Sequence, residues 1–285
     1  MAAESERDPV TGRSTTGHEW DGIKELNTPL PSWWLYTFYA SIVFAVVWCV
    51  LYPAIPGVGG VLGHTNRRDL ALSVKAATEA QAPMVDRIRA LPIEDIRKDP
   101  KLLAFARTGG RAAFNNTCAA CHQVGGAGAR GFPSLADDDW LWGGKLADIE
   151  QTIRYGVRSE HDKTRTSMMP RFGIDGALTP AQIDDVVEHV LALSRQPHDQ
   201  AKAARGATVF AEQCVACHQR DGSGNRELGA PALTDQIWLY GGTRAAIRES
   251  VFNARAGVMP AWEGRLDEAT IKMLTLYVHG LGGGK

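Results

Sequence analysis

Cysteine is scarce in this chain: five in 285 residues, at positions 49, 118, 121, 214 and 217. That excludes a disulfide framework at this length, and the crowding of four of the five into two close pairs points to cofactor or metal chemistry. Excess charge of one sign is also missing, since 31 basic side chains stand against 32 acidic ones. Without a concentrated basic face a phosphate backbone cannot be neutralised, so nucleic acid is excluded as a partner. A basic leader is missing too, because residues 1–32 carry six acids and three bases. A cleaved signal peptide wants a basic n-region, so the apolar run that follows is expected to be an uncleaved anchor.

Charge is absent altogether from Trp33 to Tyr52, twenty residues in which only Thr37 and Ser41 fall outside the apolar set. At about 1.5 Å per residue a helix of this length spans roughly 30 Å, the thickness of a bilayer core. Trp33, Trp34 and Tyr36 at one end and Trp48 and Tyr52 at the other suit interfacial belts, and prolines 29, 31, 53 and 56 bracket the span. Cys49, inside it, reads as a small apolar packing residue. Basic residues near the two ends tie at two each, so charge does not orient the helix.

What is present beyond residue 105 is a repeat. GRAAFNNTCAACH (110–122) aligns with GATVFAEQCVACH (206–218), GFPSLADDDWLWGG (131–144) with GAPALTDQIWLYGG (229–242), and Met169-Pro170 with Met259-Pro260. Residues 178–194 and 266–282 close each copy with a helical pattern, and the first copy carries a longer insertion before its Met-Pro. The resulting partition is 1–32 as an N-terminal segment, 33–52 as the membrane helix, 53–105 as a linker, and 106–196 and 200–285 as two modules. Thr179 is placed to cap the closing helix of the first module. Ile183, Val186, Val187 and Val190 form its core stripe, and Phe114 and Phe210 pack ahead of each first cysteine. Residues 53–63 read as a flexible exit. Residues 67–105 read as short segments broken by Pro83, Pro92 and Pro100, acting as a spacer.

The strings CAACH and CVACH carry the chemistry. Two cysteines separated by two residues hold haem c by thioethers, and the adjacent histidine then faces the iron. Zinc ribbons bring their CxxC pairs much closer in sequence than Cys121 and Cys214, and a thioredoxin-like pair needs no histidine. Two covalently bound haem c groups are therefore expected, on Cys118, Cys121 and His122 and on Cys214, Cys217 and His218. Met169 and Met259 are the candidates for the sixth iron ligands, since a thioether is soft and raises the haem potential. Met168 is a rival to Met169, which is preferred because it aligns with Met259. His161 is read as a solvated loop residue, and Pro133 and Pro231 are placed to offer a carbonyl to each ligand imidazole. Trp140 and Trp238 are expected to pack on the haems. Pairing of each methionine with the histidine of its own module is the simpler reading, and exchange of the two Met-Pro loops stays open.

With HEWDGIKELNTPLPSWW (18–34), one anchor, two CxxCH modules, MPRFG and MPAW, residues 15–285 resemble the dihaem subunit of cbb3-type cytochrome c oxidases, called CcoP or FixP. The resemblance implies an all-α fold: a single transmembrane helix and two tandem class I cytochrome c domains. It implies a subunit that relays electrons and is not itself an enzyme. Electrons would come from a soluble or membrane cytochrome c or a bc1 complex and pass to the monohaem subunit, then to the haem-copper subunit that reduces oxygen and pumps protons. Because c-type haem is attached outside the bacterial inner membrane, residues 53–285 would be periplasmic and the N-terminus cytoplasmic. The alternative is a freestanding, membrane-anchored dihaem carrier without stoichiometric partners.

Overall fold

The computed structural model describes residues 6–282. The chain divides between Ala80 and Gln81 into two compact units. The first holds a two-stranded antiparallel hairpin, β1 (Thr15–Trp20) and β2 (Ile23–Leu26), and the membrane helix α1 (Ser32–Leu51). The hairpin was not expected. Its signal is the dipeptide Asp21-Gly22, whose φ values of 50° and 82° turn a two-residue loop with the twist of the strands it joins.

No residue of α1 is buried within the chain. Cys49 is accordingly exposed, and its expected packing role inside this chain is corrected. The two hydroxyls are satisfied within the helix: Thr37 donates to the Trp33 carbonyl at 2.9 Å and Ser41 to Phe38 at 2.7 Å. That removes the cost of a polar group in hydrocarbon. The exit is tied down rather than flexible. The amides of Val61 and Leu62 return to the carbonyls of Val50 and Leu51, covering acceptors that a helix end leaves orphaned.

Helix α2 (Asn66–Ala90) starts in the first unit and ends in the second, with Pro83 accommodated inside it. α3 (Ile93–Lys98) and α4 (Pro100–Thr117) follow. Contrary to the spacer expectation, residues 84–105 belong to a core. Ile88, Ile96 and Leu102 are fully buried against Met273 and Leu276 of the last helix. The remaining helices are α5 (Ala119–His122), α6 (Leu146–Tyr155), α7 (Pro180–Leu193), α8 (Gln200–Gln213), α9 (Val215–His218), α10 (Arg244–Asn253) and α11 (Glu268–Gly282).

The second unit is two lobes that cut across the sequence repeat. α4, which opens the first repeat, crosses α11, which closes the second, and α7, which closes the first, crosses α8, which opens the second. Both crossings are close. A Cβ on Gly110 would lie 2.1 Å from the Met273 carbonyl oxygen, and one on Gly206 would lie 2.0 Å from that of Asp185. The six residues 194–199 joining α7 to α8 explain the second pairing, since so short a link folds two helices into an antiparallel hairpin. α7 itself starts at a capping box of Thr179 and Gln182 with Pro180 in its first turn, and it buries the expected stripe from Ile183 to Val190.

Lobe one therefore combines residues 84–157 with 258–282, around Phe114, Ile149, Ile153, Ile271 and Leu274. Lobe two is one continuous stretch, 169–253, around Phe172, Val187, Phe210 and Ile247. Its helix order is permuted, with the closing helix first, and it is inserted into lobe one. The boundaries 106–196 and 200–285 delimit the repeat, not the packed lobes.

Candidate haem-binding sites

Each CxxCH is held at the end of a long helix. Cys118 caps α4 and starts the single turn α5, and Cys214 does the same between α8 and α9. Helical spacing sets the two cysteines and the histidine on one side of the turn. Gln123 and Gln219 then stop the turn with φ of 63° and 62°. The ring nitrogen Nδ1 of His122 lies 2.9 Å from the Pro133 carbonyl oxygen, and that of His218 lies 3.0 Å from Pro231. A carbonyl only accepts, so Nδ1 carries the proton and Nε2 keeps its lone pair free for a metal. Burial lowers the pKa of both imidazoles and so favours the neutral form that ligates. Burial also raises the Cys118 thiol and pushes Cys214 up to about 11, unlike the depressed thiols of redox-active pairs.

The methionines cross over. Met169 packs against the lobe-two cluster together with Cys214 and Trp238, and Met259 packs against the lobe-one cluster together with Cys118 and Trp262. The structure thus puts Met259 on the same cluster as Cys118, and Met169 on the same cluster as Cys214, where it lines one cavity with Cys217 and His218. Met168 is 64% exposed, whereas Met169 is packed. His161 lies in a loop but is half-buried rather than free in solvent: its Nε2 lies 3.1 Å from Glu263 and its ring is tilted against that of Tyr155, with centroids 4.8 Å apart. Among the described residues no group of three or more His, Cys, Asp or Glu is gathered as a metal site.

A cavity of about 590 Å³, lined by Cys214, Cys217, His218, Met169 and Trp238, fits a large flat apolar group. The Trp238 indole tests the fit further. Its Nε1 is buried and meets no acceptor among the described residues. A buried unpaired donor is costly, and a carboxylate borne by the bound group would satisfy it. Trp140, its counterpart, donates to the Gly282 carbonyl at 3.3 Å.

The lobes meet across a pseudo-twofold junction that the sequence reading missed. Gly229 leaves the space that the Trp142 ring fills, since a Cβ there would lie 2.2 Å from it, and Gly131 stands against the ring of Tyr240. Arg165 lies over the Trp142 ring at 5.1 Å and Arg255 over Tyr240 at 4.7 Å. The available signal was the offset of 90 residues that these arginines share with Met169 and Met259.

Known proteins match the chain segment by segment along the sequence repeat. Residues 12–59 match the family described as the N-terminal domain of cytochrome oxidase-cbb3, FixP. Residues 108–194 match cytochrome c, and residues 201–278 match cytochrome c oxidase, cbb3-type, subunit III. The chain is 53% identical to the cbb3-type cytochrome c oxidase subunit FixP of Bradyrhizobium sp. (strain ORS 278) over the whole of both chains. It is 50% identical to subunit CcoP of Azospirillum brasilense, covering 99% of this chain and all of the relative. It is also 50% identical to CcoP of Cereibacter sphaeroides, over 95% of each. The chain belongs to the FixP/CcoP family of cbb3-type oxidase subunits. It is an electron-transfer subunit of that oxidase, carrying covalently bound haem c in cytochrome c domains, anchored by one apolar helix and working beside the other oxidase subunits.

Proposed function

We propose that this FixP/CcoP chain binds two haems with crossed axial ligation. One is held by Cys118, Cys121, His122 and Met259, the other by Cys214, Cys217, His218 and Met169. Haem supplies reversible one-electron exchange when bound. The chain's residues do the rest. The proline carbonyls orient His122 and His218, the methionines would each offer a thioether to an iron and so raise its potential, and the apolar lobes would keep water from the group. The observation that carries this reading is the packing of each Met-Pro loop on the lobe of the opposite CxxCH.

We place residues 53–285 in the periplasm and the N-terminus in the cytoplasm, because c-type haem is attached outside the inner membrane. Electrons from a cytochrome c donor or a bc1 complex then pass through the two haem sites to the monohaem subunit and on to the haem-copper subunit that reduces oxygen.

Potentiometry of full-length oxidase tests the ligation. Met259→His and Met169→His are each expected to lower one haem potential while haem attachment persists. In a chain carrying Cys118→Ala and Cys121→Ala, only the second haem remains. Met169→His should still lower its potential and Met259→His should leave it unchanged. A fall with Met259→His in that background would establish own-repeat pairing instead. Oxygen uptake from reduced cytochrome c by the complex co-purified with a tagged chain tests the relay, and haem c without haem b or copper in that preparation would refute it.

A further inference from the structure

The largest length difference between the two repeats is an insertion in the first, and the structure shows where it goes. Arg165 donates to Thr152 Oγ1 and the Asp148 carbonyl, and Arg255 donates to Ser250 Oγ and the Ala246 carbonyl, the same positions one repeat later. The helices before them end at aligned positions of positive φ, Gly156 at 71° and Ala254 at 53°, of which Ala254 alone is left-handed helical. Arg255 follows Ala254 directly, whereas residues 157–164 stand between Gly156 and Arg165. Those eight residues have no counterpart in the second repeat.

They grip the loop that carries Met259. Val157 and Met259 exchange both backbone hydrogen bonds at 3.0 Å. Arg158 donates through Nε to the Gly257 carbonyl at 2.7 Å and through Nη1 to the Ser167 carbonyl at 2.9 Å, so one side chain ties together the two loop segments that cross between lobes. Arg158 holds this fork from a φ of 53°, a conformation that non-glycine residues seldom adopt. His161 reaches Glu263, four residues beyond the methionine. The Met259 loop is thus held before, at and after the sulfur-bearing residue. Met169 has no backbone hydrogen bond among the described residues.

We propose that the 157–164 insertion is a clamp for Met259, with Arg158 as its positioning residue. It would fix the thioether on the iron of lobe one against displacement through the paired backbone bonds at Met259 itself, which Met169 lacks, the Met169 loop being tied by Arg158 only at Ser167. This rests on the reading of Met259 as an axial ligand.

The test is imidazole binding to the ferric haems of the intact oxidase, read together with the far-red absorption band of methionine-ligated ferric haem. In Arg158→Leu, the haem whose potential responds to Met259→His should lose methionine-band intensity and bind imidazole about tenfold more tightly, the worth of one charge-assisted hydrogen bond. The other c-type haem, whose Met169 loop loses only the tie at Ser167, should change much less, and Arg158→Lys, which keeps one donor, should fall between. Should Arg158→Leu fail to accumulate, His161→Ala, loosening the far end of the clamp, is expected to change the same haem in the same sense. Unchanged imidazole affinity at that haem, or an equal change at both, overturns the clamp. A Met259→His chain with both potentials unaltered would refute the ligand reading itself, whatever Arg158 does.

Discussion

Lobe one and lobe two use the same helix positions and cement them with opposite chemistry. Where lobe two joins α7 to α10 by an ion pair of Glu188 and Arg244 at 2.5 Å, the aligned residues of lobe one are Leu276 and Leu146, 1% and 2% exposed. Where Asp185 accepts two hydrogen bonds from Arg205, at 2.6 and 2.8 Å, lobe one has Met273 lying against Gly109. The cause lies outside the repeat. Residues 84–105 cover lobe one on this side, with Ile88 and Ile96 on the α11 face and Lys272 donating to the Arg89 and Leu91 carbonyls at 2.9 Å. A covered face favours apolar contact, while a face open to water tolerates charge. One helix scaffold serves both because its essential contacts, the glycine crossings and the phenylalanine ahead of each CxxCH, are common to both.

The most drastic way to break the comparison is to cut the chain after residue 196. If the repeats folded by themselves, a complete cytochrome would remain. With the lobes as described, α4 loses α11, α7 loses α8, and Phe114 is stripped of its cover, so no cooperative unfolding transition and no six-coordinate haem are expected. Residues 158–257 expressed alone contain all of lobe two and are expected to give a low-spin haem c and a cooperative melt, checked by visible absorption and circular dichroism.

Smaller changes separate the lobes. Ile96→Ala empties a fully buried position in the cover of lobe one and is expected to destabilise that lobe by about 3 kcal/mol, leaving lobe two unchanged. Hydrogen exchange of α4 and α11 amides against those of α7 and α8 reads the two separately. Gly110→Ala and Gly206→Ala should cost about 2 kcal/mol each, one per lobe. The forced separation of the crossing helices outweighs the roughly 1 kcal/mol that alanine gains in helix propensity. Equal destabilisation of both lobes by either glycine change would mean that they unfold as one.

The anchor, the two CxxCH turns and the proline carbonyls were legible because each follows from a local signal: twenty uncharged residues, a fixed cysteine spacing, a proline eleven or thirteen residues after each ligand histidine. The core stripe from Ile183 to Val190 was legible for the same reason. The crossing was not, because periodicity reveals that α7 has an apolar face but not which helix meets it. Gly110 and Gly206 match equally well in either arrangement, and only the short link 194–199 favours one. Residues 84–105 misled through their prolines. Pro83 reads as a break, yet the helix continues through it, and Pro92 and Pro100 sit at helix starts, where proline costs nothing.

The finest test grafts the chemistry of one lobe onto the other. In lobe two the hydrogen bond from Arg244 holds the Glu188 carboxyl below the ordinary glutamate range, and in lobe one Arg154 does the same to Glu268. A carboxyl whose folded pKa is depressed contributes stability above its unfolded pKa, near 4.5, and loses it as pH falls through the folded value. Both lobes should therefore weaken on acidification from pH 5 downward. Glu188→Leu with Arg244→Leu copies the pair Leu276 and Leu146 into lobe two. At neutral pH the double variant should be close to the parent in stability, because exchanging an ion pair for packed apolar residues is often neutral. Its lobe two should lose most of the acid-dependent slope, while lobe one, resting on Arg154 and Glu268, keeps its own. Hydrogen exchange of α7 and α11 between pH 5 and 3 measures both slopes. A lobe-two slope that survives the graft would assign its acid sensitivity to carboxyls other than Glu188.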